Sequence, residues 1–274
     1  MAPQSPVDTR GLPVYAVLAA AGSGTRLGFD QPKAFVSLAG RTLLERALDG
    51  LADSGEIDET IVMVSEDMRP VAENLLADPT NQIVWAGMRT RVAIGGGERT
   101  DSVYAGLEVI ERILGTSVDC VQLAEVSEAI VLVHDAARCL TPPAMIRRVV
   151  AAVREGVASG KIAGVAPAMP VTDTVKVVDG ARITDTPPRE TLRAVQTPQG
   201  FLFSFLLDAN RKYLAAQELS FGRAEVATDD ASIMEIVDYA VDIVPGDDQA
   251  MKITTPRDFA VAQMLVGDQG GNEQ

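Results

Sequence analysis

The chain has little of several residue types, and each scarcity closes off a class of protein. Among 274 residues there are two cysteines and one histidine. Cys120 and Cys139 make no disulfide framework, and a single histidine excludes a histidine-rich zinc site. Aromatic residues are 4% of the chain, so Val, Leu, Ile and Ala must fill the core, and an apolar content of 47% is ample for that. There are 24 basic residues against 38 acidic ones, a formal net charge of −14. That balance argues against a surface that coats nucleic acid. No apolar run approaches the roughly 20 residues of a membrane span. The first twelve residues, MAPQSPVDTRGL, lack a hydrophobic signal core and read as a disordered tail, as do residues 268–274. The expectation is a cytoplasmic protein with no membrane or nucleic-acid partner. An anionic ligand would need a local cationic pocket in this acidic chain.

The most informative stretch is VYAVLAAAGSGTRLGFDQPK, Val14 to Lys33. An apolar strand runs into a loop of small residues, Ala19 to Thr25, and two cations follow, Arg26 and Lys33. A glycine loop after a strand lets backbone N–H groups close on a polyphosphate, because no Cβ blocks the approach. The cations then neutralise what the amides hold. A dinucleotide fingerprint, G-x-G-x-x-G, is met by Gly22 and Gly24 but fails at Leu27, since glycine arrives one residue late at Gly28. The acid expected about 20 residues on is not convincing either, since Glu66 at the end of the next strand lies much further away, and no Walker A run exists. An ordinary strand-to-helix turn would explain a lone Gly-x-Gly, but not the two cations beside it.

Apolar strands alternate with helical patterns along the chain. The strand candidates are 14–19, 60–65, 91–94, 129–134, 162–166 and 241–244. The helix candidates are 42–51, 69–76, 101–114, 142–155, 202–213 and 256–266. Pro142-Pro143 and Pro256 suit helix starts, where a missing N–H costs little. The alternation predicts an α/β fold, a doubly wound, mostly parallel, Rossmann-like sheet forming one domain over 13–267. Ligands of such sheets bind at the carboxyl ends of the strands. Two segments break the pattern. Residues 115–128 read as a polar insertion. Residues 169–190 alternate around Asp179-Gly180, a hairpin signal, and a hairpin with so little apolar surface is marginal alone. It is expected to protrude as an arm and lean on a second subunit.

Two further constellations carry chemistry. Gly95-Gly96-Gly97-Glu98-Arg99-Thr100-Asp101-Ser102 follows a strand and opens a helix. Its glycines allow close backbone approach, its helix N-terminus favours an anion, and Ser102 can offer a hydroxyl to a base edge. Taken alone, it also reads as a loop with Thr100 or Asp101 as the helix cap. His134-Asp135-Ala136-Ala137-Arg138 ends another strand. Asp135 is well placed to hold Mg²⁺ between phosphates, and Arg138 offers a phosphate-shaped fork. His134 reads as a packed histidine bonded to a neighbouring loop, with a general base as the alternative.

These motifs, in this order, resemble the sugar-phosphate and alditol-phosphate cytidylyltransferases of the nucleotidyltransferase superfamily. The nearest match is the 2-C-methyl-D-erythritol 4-phosphate cytidylyltransferase family of the non-mevalonate isoprenoid pathway. The resemblance runs from about Val14 to Ala262. It rests on Ala-Ala-Gly-x-Gly-x-Arg, Pro32-Lys33, Gly-Gly-x-x-Arg-x-x-Ser, Val133-His134-Asp135-Ala136-Ala137-Arg138, Asp173-Thr174-Val175-Lys176, Thr197-Pro198-Gln199, Thr228-Asp229-Asp230-Ala231-Ser232 and Lys252-Ile253-Thr254. The resemblance implies that Ala20, Ala21, Gly22 and Gly24 place backbone groups on the nucleotide and that Gly96 and Ser102 read the cytosine. It implies that Arg26 and Lys33 bind the CTP phosphates and stabilise the transition state, and that Asp135 holds Mg²⁺ or Mn²⁺. Arg138, Thr197, Thr228 and Lys252 would line the acceptor. Thr174 and Arg189 would reach from the arm into the other subunit of a homodimer. The chain departs from the family pattern at Cys139, where proline is usual, and at Gln249 and Ala250, where an acid and an asparagine are common.

The implied reaction transfers CMP from CTP to the alditol phosphate and releases pyrophosphate. Ribitol 5-phosphate is the alternative acceptor on the same scaffold. A nucleotide-binding regulator that has lost catalysis would not need Arg26, Lys33 and Asp135 together. An NAD-type oxidoreductase fails on Leu27.

Overall fold

Alternate side chains of a buried strand point to opposite faces, so a strand that is apolar throughout needs a helical layer on both sides. The computed structural model, which describes residues 11–22, 31–115, 128–160, 162–219 and 226–269, has that arrangement. In chain order the elements are β1 (Val14–Ala19), a small hairpin of β2 (Ser37–Leu38) and β3 (Arg41–Thr42), α1 (Leu43–Asp53), β4 (Glu59–Val64), α2 (Arg69–Ala77), α3 (Pro79–Val84), β5 (Arg89–Ile94), α4 (Arg99–Ile113), β6 (Ile130–Asp135), α5 (Pro143–Ala158), β7 (Gly164–Pro170), β8 (Val177–Asp179), β9 (Arg182–Asp185), β10 (Arg193–Val195), β11 (Gln199–Leu202), α6 (Phe203–Leu219), α7 (Asp230–Ile236), β12 (Val241–Pro245) and α8 (Pro256–Gln269).

Eight strands form one sheet in the order β10-β7-β11-β6-β1-β4-β5, with β12 also on β7. The pairs β1–β4, β1–β6, β4–β5 and β7–β12 are parallel. β10 and β11 run antiparallel to their neighbours. The sheet is thus the doubly wound, mostly parallel one expected. Ala16, Leu18, Val62, Val64, Ile130 and Leu132 face a layer that includes α1, α2, α5 and α8. Tyr15, Val17, Ile61, Met63, Val131 and Val133 face a layer that includes α4, α6 and α7. The period of two in the strands therefore divides the core into two apolar layers. No helix among the described residues is long and apolar enough to cross a membrane.

The twelve expected elements are present, with ends shifted by a few residues. α5 and α8 do begin at Pro143 and Pro256. α4 begins two residues before its expected start. Its cap is Glu98 rather than Thr100 or Asp101, and the Asp101 carboxylate instead accepts from the Glu98 N–H. β10, β11, α3 and α7 were not expected from the sequence. The insertion at 115–128 lies almost wholly outside the described residues.

The arm is a hairpin of β8 and β9, shorter than the alternation implied, since 171–176 do not pair as a strand. Asp179 pairs with Arg182, and Gly180 supplies the positive φ of 57° in the two-residue turn. Every residue of β8 and β9 is exposed.

α4 crosses the sheet closely at Gly106. A Cβ built there would stand 2.7 Å from Val17 Cγ1 and 3.2 Å from Met63 Sδ. Gly106→Val is expected to destabilise the fold by about 1–3 kcal/mol through overpacking. It should be read as a lower urea midpoint at unchanged slope.

Candidate active site

β1, β4, β5 and β6 are parallel, so their carboxyl ends lie along one edge of the sheet. The chain leaves β1 toward β4 on one side and returns to β6 on the other. That makes the crevice between β1 and β6 the topological switch point. Ala19 is in register with Asp135 across it. The loops after β1 and β5 are tied to the strand between them. Ala20 N–H donates to the Met63 carbonyl at 2.9 Å and Gly95 N–H to the Val64 carbonyl at 2.8 Å. Ala20, Ala21, Gly22, Lys33, Gly96, Ser102 and Asp135 consequently line one cavity of about 360 Å³. Arg26 and Gly24 lie outside the described residues.

The glycines of this cavity differ in why they are glycine. A Cβ on Gly95 would stand 2.5 Å from Ser102 Oγ, and one on Gly96 would stand 2.2 Å from Asp101 Cβ. These two let the loop fold down onto the start of α4. Gly22 and Gly97 face open space and leave their backbone open to the cavity. Ser102 is buried, and its hydroxyl donates to the Glu98 carbonyl at 3.1 Å. Its lone pairs remain for a donor on a ligand.

A second cavity, of about 430 Å³, is lined by Arg138, Thr197, Thr228 and Lys252. The four main-body residues expected on the acceptor side thus come together. Thr174 and Arg189 do not join them. They belong to the exposed arm, where Arg189 stands 3.7 Å from Glu190 and donates to the Thr172 carbonyl at 3.5 Å. The Arg138 guanidinium donates to the Ala250 carbonyl at 2.7 Å and the Val195 carbonyl at 3.4 Å.

Arg99, Asp135 and Lys252 belong to both cavities. Asp135 Oδ1 accepts from Arg99 Nε at 3.1 Å, and Oδ2 lies 2.7 Å from Lys252 Nζ. Burial opposes ionisation of this carboxyl, but Arg99 and Lys252 together outweigh it and hold it well below the usual carboxylate range. Arg99 is the functional candidate that sequence reasoning passed over. It is the arginine of Gly-Gly-x-x-Arg-x-x-Ser, so its signal was present in the motif without a role attached. Arg99 Nη2 also stands 2.8 Å from Oδ2 of Asp230, which is fully buried. Gln199 was likewise unassigned. It donates to the Asp229 carboxylate at 2.6 Å and accepts from Ala231 N–H, fixing the start of α7 on the second cavity.

Asp135 tests as a metal ligand in the following terms. No three His, Cys, Asp or Glu side chains assemble as a metal cage among the described residues. Asp247, Asp248 and Gln249 line neither cavity, and Asp247 is occupied in capping its own turn, accepting from Gln249 N–H at 2.9 Å. One ionised carboxylate between two anion-sized cavities fits Mg²⁺, which takes one or two carboxylates and completes its shell with phosphate oxygens and water.

His134 is the packed histidine. Its Nδ1 lies 2.9 Å from Thr197 Oγ1, which also accepts from the Asp135 N–H at 3.0 Å. Burial pushes its pKa down to about 4 from an ordinary 6.5. Between those values the unfolded chain binds a proton that the folded chain does not. Stability is therefore full above about pH 6.5 and falls as pH drops toward 4. At 1.36 kcal/mol per pH unit the loss between pH 6.5 and 5 is about 2 kcal/mol. Urea midpoints should decline across that window, and His134→Gln should flatten the decline. An equally steep decline in the variant would assign it to other groups.

Comparison with known proteins shows the family. The family described as IspD, 2-C-methyl-D-erythritol 4-phosphate cytidylyltransferase, matches residues 14–268. The 2-C-methyl-D-erythritol 4-phosphate cytidylyltransferase of Corynebacterium jeikeium is 51% identical, over 94% of this chain and 98% of its own. That of Corynebacterium glutamicum strain ATCC 13032 is 48% identical over 94% of each. The crystal structure of the 4-diphosphocytidyl-2C-methyl-D-erythritol synthase of Anaerococcus prevotii superposes with a TM-score of 0.71 at 27% identity, covering 94% of this chain and 99% of that one. The Thermus thermophilus 2-C-methyl-D-erythritol 4-phosphate cytidylyltransferase gives 0.65 at 28%, covering 92% and 98%. Matched over nearly its whole length, the chain belongs to the 2-C-methyl-D-erythritol 4-phosphate cytidylyltransferase family.

Proposed function

We propose that the chain transfers the cytidylyl group of CTP to 2-C-methyl-D-erythritol 4-phosphate. The products are 4-diphosphocytidyl-2-C-methyl-D-erythritol and pyrophosphate. The observation that carries this reading is the wall of Arg99, Asp135 and Lys252 common to the two cavities. Anionic ligands in the two cavities meet over the same charged groups.

A phosphate oxygen of the acceptor attacks the α-phosphorus of CTP in line. The bond from that phosphorus to the α,β-bridging oxygen breaks, and pyrophosphate leaves with the electron pair. The nucleophile is already anionic at neutral pH, so neither a protein base nor a covalent nucleophile is needed. This agrees with a buried, neutral His134. Positioning and electrostatics carry the catalysis. In this reading Ala20, Ala21 and Gly22 hold the nucleotide by backbone groups, and Gly96 and Ser102 read the cytosine. Lys33 and Arg26 cover the α-phosphate and the departing pyrophosphate. Lys252 leaves Asp135 for the acceptor phosphate, beside Arg138, Thr197 and Thr228. Asp135 would hold Mg²⁺ or Mn²⁺, which when bound neutralises charge on the CTP phosphates.

Lys33→Ala and Asp135→Asn are each expected to lower turnover at least about a hundredfold, since each removes a charge from the transition state. Pyrophosphate release from CTP with the alditol phosphate measures it. The same assay should stop in EDTA and resume with Mg²⁺. Near-normal turnover in either variant, or full activity without metal, would remove that group from the mechanism.

We infer further that the arm serves a second copy of the chain. Val177, Val178 and Ile183 are 46%, 58% and 59% exposed, and a two-stranded hairpin is marginal alone. Thr174 and Arg189 line neither cavity of their own chain. Chains carrying Lys33→Ala and Arg189→Ala should each be nearly inactive alone. In a mixed dimer one site has an intact Lys33 and receives an intact Arg189 from its partner. Random pairing makes half the dimers mixed, so about a quarter of wild-type activity should return on co-expression. No recovery in a sample shown to contain mixed dimers would mean that Arg189 serves its own chain.

A further inference from the structure

Asp230 has no evident reason to be an acid. It is the first residue of α7, yet the cap of that helix is the preceding Asp229, whose carboxylate accepts from Ser232 N–H at 2.9 Å. Asp230 lines neither cavity and is fully buried. Its carboxylate oxygens make no hydrogen bond of good geometry among the described residues, and the cation beside it is Arg99, 2.8 Å away. A carboxylate kept out of water costs several kcal/mol unless a partner offsets it. Here the effect runs both ways. Burial raises the pKa of Asp230 while Arg99 opposes the rise, and Arg99 is held more firmly protonated by Asp230 and Asp135 in spite of its own burial.

The geometry of Arg99 shows what this anchor does. Its Nε turns to Asp135 and its Nη2 to Asp230, so the two acids divide one guanidinium between them. Nη1 and Nη2 are both buried and neither makes a hydrogen bond of good geometry among the described residues, so Nη2 meets Asp230 as an ion pair and Nη1 meets no acid. An arginine with a single carboxylate partner frequently closes on it in a two-toothed fork. With Asp230 holding one end, Arg99 cannot close on Asp135 in that way. It stays at the wall shared by the two cavities with a donor in reserve, and Asp135 stays exchangeable.

We propose that Asp230 is a positioning residue: acting through Arg99, it holds the guanidinium at the shared wall so that an incoming phosphate group meets a donor there and Asp135 is not sequestered. This rests on the reading that the first cavity takes CTP.

The test is calorimetric binding of a non-hydrolysable probe, α,β-methylene CTP with Mg²⁺, to wild type, Asp230→Asn, Arg99→Gln and the double variant. Thermal unfolding of each serves as a control for folding. Asp230→Asn is expected to weaken binding at least tenfold. In the Arg99→Gln background the same change should have no further effect, because its route is gone. Wild-type affinity in Asp230→Asn would overturn the proposal, as would losses that multiply independently in the double variant. If Asp230→Asn does not fold, the comparison of Arg99→Gln with the double variant, which buries no unpaired charge, decides alone. Equal affinities support the proposal, and a further loss of tenfold overturns it. If wild type binds the probe with this coupling but releases no pyrophosphate with the alditol phosphate, the functional reading fails and the positioning role stands.

Discussion

A carboxylate buried at the end of a parallel strand is the constraint on which the site depends. Asp135 is 7% exposed, and its charge persists because cations from two distant parts of the chain reach it. Arg99 opens the helix that follows β5, and Lys252 lies between β12 and α8. Both elements must dock on the sheet before Asp135 can be ionised without a large desolvation cost. The backbone of Asp135 is fixed separately, by the N–H donated to Thr197 Oγ1. One residue therefore ties the carboxyl end of β6 to three other segments of the chain. A neutral residue in its place would leave Arg99 and Lys252 close together and repelling each other.

The same arrangement resolves a conflict in the composition. A chain of net charge −14 is a poor host for two phosphorylated ligands unless positive charge is concentrated where they bind. Lys33, Arg99, Arg138 and Lys252 all line the two cavities. Glu98 and Glu235 also line the cavities, while two further acids nearby are taken up by specific partners. Asp230 is fully buried against Arg99. Asp229 is taken up by Gln199 and by the cap of α7.

How much of this was legible in the sequence follows from the range of each interaction. The Rossmann-like sheet was legible because it is written in local periodicity and in loop composition. The two glycine loops and the Asp135 strand end could be placed on one edge because parallel strands align their carboxyl ends. The starts of α5 and α8 were readable from proline, a local effect. The cap of α4 was not, because Glu98 is an unusual capping residue and Asp101 supports the helix from inside it. β10 and β11 escaped notice because Pro198 and Gly200 interrupt a short apolar stretch whose pairing with β6 and β7 is set only by the tertiary fold. Arg99 and Asp230 are the sharper lesson. Each stood within a recognised motif, but their roles come from facing each other across the sheet edge, and no spacing within either motif encodes that.

The cations of the second cavity also differ in how they are held. Arg138 is bound by the carbonyls of Ala250 and Val195, neutral partners that orient the guanidinium without cancelling its charge. Lys252 is bound by Asp135, a partner that does cancel it. Besides Arg99 on the shared wall, the cavity therefore carries one standing positive charge and one that Asp135 cancels until it is engaged elsewhere. In the proposed reaction this links the two halves of the site. A divalent cation brought with the nucleotide would engage Asp135 in place of Lys252, and the attraction of Lys252 for the acceptor phosphate would rise when an α-phosphorus is in place to receive it. The link requires Asp135 to let go of Lys252, while Arg99, whose other end meets Asp230, grips Asp135 through Nε alone.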